Sequence, residues 1–71
     1  MTEPRRFALE RDADVTGVSG TGRVADGVVW PDGKVTIAWR GEHASIVIWP
    51  DLKSALAVHG HDGATRAVFI D

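Results

Sequence analysis

The stretch Val24–Arg40, VADGVVWPDGKVTIAWR, constrains the fold of this chain more than any other. It reads as a β-hairpin whose turn chemistry sets the register. In Trp30-Pro31-Asp32-Gly33, Pro sits where a type I turn needs its fixed φ. Gly follows where a three-residue hairpin loop needs a left-handed residue and a G1 bulge. That turn pairs Trp30 with Lys34, so Val29 faces Val35, Gly27 faces Ile37 and Ala25 faces Trp39. Opposed residues share a face and faces alternate along a strand. Val29, Val35, Ile37 and Trp39 are therefore expected in the core. Val28, Trp30, Lys34, Thr36 and Arg40 are expected on an amphipathic outer face with a tryptophan at its tip.

The 71 residues allow one domain, read as a tail over residues 1–6 and a folded unit over 7–71. So short a chain leaves about 40% of its unfolded surface exposed and has little stability to spare. Cysteine is absent, which excludes disulfides and fits a reducing compartment. A net charge of −2 argues against a general nucleic-acid coat, which needs a clustered basic surface. No apolar run approaches the ~20 residues of a membrane-spanning helix, so a cytoplasmic protein is expected, with no membrane contact.

Elsewhere the chain reads as short elements. Phe7 and Leu9 alternate with polar neighbours and open the sheet as a first strand. Asp12–Gly22 is a Gly-rich loop. Its GxxGxG order precedes a strand, not a helix, and so lacks the context of a phosphate cradle. Ser19 sits in GVSGT, not in a GxSxG elbow. Asp26-Gly27 interrupts the second strand and is expected to mark a bulge or bend. The fourth strand, Ala44–Trp49, is apolar on both faces, a pattern that favours a central or doubly covered strand. A two-turn helix over Asp51–Val58 is expected to supply that cover. Asp51 would stand at its start, with Leu52, Ala55, Leu56 and His59 on one face, and a left-handed Gly60 at its end. Thr65–Ile70 closes the chain as a strand that buries either Ala67 and Phe69 or Val68 and Ile70.

The expected fold class is therefore mostly β: a five-stranded small barrel or a strongly bent antiparallel sheet, with one short helix before the last strand. Through GRVADGVVW and GKVTIAW the order of elements resembles the SH3-like small β-barrels, in the broad sense that includes KOW and Tudor-type domains. VSGTGRVADGVVWPDGKVTIAWRG with LAVHGHDGATRAVFID also resembles a group of small proteins of high-GC actinobacteria and their phages. That likeness implies an origin and no activity.

Three functional readings follow from the residues. An interaction module would bind a protein through the outer face carrying Val28, Trp30, Lys34, Thr36 and Arg40, or through a strand edge. In a phage setting it would be a host-directed regulator. Arg23, Trp30, Lys34 and Arg40 form a basic-aromatic strip of the kind that stacks a base and holds phosphate, which is the single-stranded nucleic-acid reading. His59, His61 and Asp62 could give two or three ligands to a metal, fewer than a structural site uses, so no cofactor is expected. No Ser, His and acid spacing suggests catalysis, and an enzyme is not expected. An apolar fourth strand beside an apolar outer face also suggests a homodimer.

Overall fold

The computed structural model describes residues 3–12, 21–42, 44–60 and 63–71. The elements are β1 (Arg5–Arg11), β2 (Gly22–Val29), β3 (Val35–Trp39), β4 (Ile46–Trp49), α1 (Leu52–His59) and β5 (Thr65–Phe69). They form one antiparallel sheet in the order β4-β3-β2-β1-β5. Of the two architectures expected, the chain adopts the open sheet, with β4 and β5 at its edges. Among the described residues nothing seals β4 to β5, and α1 covers a single face.

The β2–β3 hairpin has the register that its turn chemistry requires. Ala25 pairs with Trp39, Gly27 with Ile37, and Val29 with Val35. The Trp30 amide donates to the Lys34 carbonyl at 2.8 Å, and Gly33 takes φ +95°, the left-handed bulge position. On the helix side, Phe7, Leu9, Val35 and Ile37 are fully buried, joined by Val24, Ala25, Val29 and Ala55. Trp39 faces this core as the register demands, but it lies at the end of the sheet and is only half-buried.

Gly27 does not mark a bulge. It is paired regularly with both Phe7 and Ile37. Its missing side chain leaves room for the Phe7 ring, which occupies the space a Cβ would take. The irregularity lies instead between Leu9 and Glu10, where Ala25 and Arg23 take successive places opposite β1 and Val24 is the extra residue. A bulge turns two neighbouring side chains to one side. Val24 and Ala25 accordingly both enter the core.

β1 also takes in Arg5 and Arg6, which the sequence reading placed in the tail. Their backbone is held by β2 on one side and the C-terminus on the other. Ile70 donates its amide to the Arg6 carbonyl at 2.9 Å, and the Asp71 carboxylate accepts from the Arg6 amide and guanidinium. The Arg5 guanidinium lies 4.2 Å above the Phe69 ring, which in turn meets Phe7 at 5.6 Å. The parity of β5, open in the sequence, is fixed by this pairing. Phe69 faces Phe7 and Ala67 faces Leu9, so Val68 and Ile70 are outward.

The Arg6 contacts hold the Asp71 carboxyl down at about 2, against an ordinary 3.8. A lowered carboxyl stabilises the fold in its charged form. Its contribution is complete above 3.8 and is lost as pH falls through about 2. A carbon-detected NMR titration of Asp71 is expected to show that low midpoint. A midpoint near 3.8 would mean that the C-terminus is not clamped to β1.

α1 is capped by Asp51, whose carboxylate accepts from the Ser54 amide at 2.6 Å. Leu52, Ala55 and Leu56 turn to the core. Gly60 is not left-handed as expected. It has φ −77° and donates to the Leu56 carbonyl, and a Cβ there would strike that same oxygen. Close approach, not a positive φ, is what requires glycine. β4 is an edge, not a central strand. α1 covers its Val47 and Trp49 side, while Ile46 and Ile48 stand out on the opposite side, 69% and 73% exposed.

Candidate protein-binding face

The face of the sheet away from α1 has no described element over it. The pairings place its side chains in two rows across all five strands. One row is Ile46, Ala38, Asp26, Ala8 and Val68. The other is Ile48, Thr36, Val28, Arg6 and Ile70. The small residues lie in the middle and the long aliphatic ones at the edges. The middle is therefore a shallow depression of about 320 Å³, bounded in part by Arg6, Arg23, Asp26, Val28, Thr36 and Ile70.

The outer face read from the sequence is part of this surface. Val28 and Thr36 are paired neighbours within it. Trp30 is 42% exposed and folds its indole back from the hairpin, donating from Nε1 to the Thr36 hydroxyl at 2.8 Å. Arg40 reaches across to Asp26 through Nε and a terminal nitrogen, at 2.9 and 3.0 Å. Lys34 turns back on Asp32 within the hairpin loop. The binding residues expected from the sequence do not include the aliphatic ends of the face: Ile46 and Ile48 on β4, Val68 on β5 and Ile70 just beyond it. The signal for them is the double-sided apolar pattern of β4, which bears equally on cover by α1 and on contact with a second copy.

The basic-aromatic strip divides into two groups, Arg23 and Arg40 at one end of the hairpin and Trp30 and Lys34 at its tip. Arg23 and Arg40 share the carboxylate of Asp26, and Lys34 pairs with Asp32. Their hydrogen bonds hold both carboxyls below the usual range, Arg40 being the largest cause at Asp26 and Lys34 at Asp32. Each cation of the strip thus contacts an acid, three cations against two carboxylates. This leaves the strip one positive charge in excess, with its polar groups engaged with one another.

The metal reading falls partly outside the described residues, since His61 and Asp62 lie there, as do His43 and loop residues 13–20 with Gly17, Ser19 and Gly20. Among the described residues, no three His, Cys, Asp or Glu side chains gather as a metal site. His59 is packed instead between two indoles, Trp39 at 4.9 Å and Trp49 at 5.5 Å, both edge-on. The buried Nε1 of Trp49 has no hydrogen-bond partner among the described residues. Nearby, buried Arg11 donates to the Thr65 hydroxyl at 2.8 Å and lies 5.8 Å from the Trp39 ring. Among the described residues no helix is long and apolar enough to cross a membrane.

Residues 4–71 match the family described as Acb5 phage protein. The chain belongs to that family. The matched span takes in every strand, the helix and both rows of the uncovered face. No curated protein and no solved structure matches this Acb5-family chain.

Proposed function

We propose that this Acb5-family chain is a small non-enzymatic interaction module of a phage, one that binds a protein of the host through the uncovered sheet face. The observation that carries the reading is the chemistry of that face. Aliphatic side chains stand exposed at both of its ends. A depression of small side chains lies between them, and the charges within it are already paired. Such a surface suits a dry, shape-complementary contact with an apolar patch of another protein. Trp30, its indole held by Thr36 next to Val28, supplies the aromatic anchor typical of binding hot spots. Family membership supports a phage setting, in which a host protein is the natural target.

The test is capture from host lysate on immobilised protein, with Val28→Lys/Ile70→Lys as control. Both side chains face outward, Val28 half-buried and Ile70 exposed, and a lysine stem can lie along either site, so circular dichroism should be unchanged and melting should fall only modestly. The expected result is a host protein held by the wild type and lost, by tenfold or more, with the double variant. Retention by both would refute the face. A salt titration against single-stranded DNA and RNA covers the other reading: micromolar binding that falls steeply with salt would favour a nucleic-acid ligand at Arg23, Trp30, Lys34 and Arg40.

A further inference from the structure

The two edges of the sheet are built differently. β5 is fastened and charged: Arg66 pairs with Asp12, Arg5 covers Phe69, and Arg6 clamps Asp71. Charge on an edge strand is a common guard against further pairing. β4 has no such guard. Ser45-Ile46-Val47-Ile48-Trp49 contains no charge, no proline and no glycine. It also carries Ile46 and Ile48, the two most exposed large hydrophobic side chains among the described residues.

The hydrogen bonding says which backbone groups the edge offers. Trp39 donates its amide to the Ser45 carbonyl at 2.8 Å, and the β3–β4 register continues through Ile37 with Val47 and Val35 with Trp49. Antiparallel pairs alternate between bonded and non-bonded. Ser45, Val47 and Trp49 therefore turn their backbone groups to β3. Ile46 and Ile48 turn theirs outward, two amides and two carbonyls in a row.

We propose that β4 is the dimerisation strand, pairing antiparallel with β4 of a second copy about a two-fold axis through Val47. Ile46 of one copy then exchanges both backbone hydrogen bonds with Ile48 of the other, and Val47 meets its own symmetry mate at a non-bonded position. The contact is self-complementary and closed, as a two-fold interface must be. It gathers four exposed isoleucine side chains into one cross-strand cluster. No like charges meet within it. The product is a ten-stranded sheet with both helices on one side and the two uncovered faces joined on the other. The inference uses the strand edge and does not depend on what binds the face.

A four-residue strand makes a contact below the standard interface size, so the dimer is expected to dissociate within the micromolar range. Sedimentation across roughly 1 μM to 1 mM, the span of weak interfaces, should show the mass rising toward twice that of the monomer. Ile46→Lys/Ile48→Lys should remain monomeric throughout. Ile48→Pro should do the same, since it removes only an outward amide and leaves the β3–β4 ladder intact. The chain has no cysteine, so Val47→Cys is a clean probe. At a non-bonded pair with Cα atoms about 4.5 Å apart it should oxidise to a symmetric disulfide dimer, whereas Thr36→Cys should not. In the wild type, amide exchange at Ile46 and Ile48 should slow by tenfold or more between dilute and concentrated samples. A wild type that stays monomeric to 1 mM would overturn the proposal. So would a dimer that survives both β4 variants or leaves the Ile46 and Ile48 amides unprotected.

Discussion

Phe7→Ala is expected to unfold the protein near room temperature. The ring is fully buried in the middle of β1, sits over the bare backbone of Gly27 and meets Phe69 at 5.6 Å. Gly27 has no side chain with which to fill the hole, and the paired strands on either side hold the backbone apart. Truncating a buried phenylalanine costs about 3–5 kcal/mol, more where the site cannot collapse. A single core of this size rarely supplies more than about 3–5 kcal/mol in all. Urea denaturation followed by tryptophan fluorescence decides it. A Phe7→Ala protein with an unfolding midpoint near that of the wild type would mean that the ring does not hold the centre of the sheet.

Gly27→Ala should be nearly as damaging, although it is among the mildest changes available and alanine suits a strand no worse than glycine. A Cβ at Gly27 falls inside the Phe7 ring. That ring cannot swing aside, because Leu9, Ile37 and Phe69 surround it within the core and at its edge. Overpacking of this kind costs about 1–3 kcal/mol and sometimes more. The two substitutions should not add. In Gly27→Ala/Phe7→Leu the smaller side chain makes room for the new methyl, so the double variant should be more stable than the sum of the singles by about 1 kcal/mol or more. Strict additivity would show that glycine is there for another reason, such as backbone freedom during folding. The pair tests a general point about this sheet: position 27 is glycine because of its neighbour across the strand, while its own φ is ordinary.

The two predictions also separate local from tertiary information. The β2–β3 hairpin was legible because everything that fixes it is local. Pro31 and Gly33 choose the turn, the turn chooses the register, and the two-residue period of a strand then sorts Val29, Val35 and Ile37 inward and Val28 and Thr36 outward. The same holds for α1, whose start is set by Asp51 reaching the Ser54 amide three residues on. Trp30 and Lys34 at the tip of the outer face, and Arg40 at the other end of β3, followed from the same register.

What the chain does at longer range was decided elsewhere. Arg6 belongs to β1 because Val28 pairs with it on one side and residues 70 and 71, distant in sequence, bind it on the other. The buried face of β5 depended on its register with β1, which no local period contains. An apolar strand looks the same in sequence whether its second face is covered within the molecule or left bare. For β4 only the fold could choose, and it left Ile46 and Ile48 bare, because a single eight-residue helix can cover one side of five strands and not two.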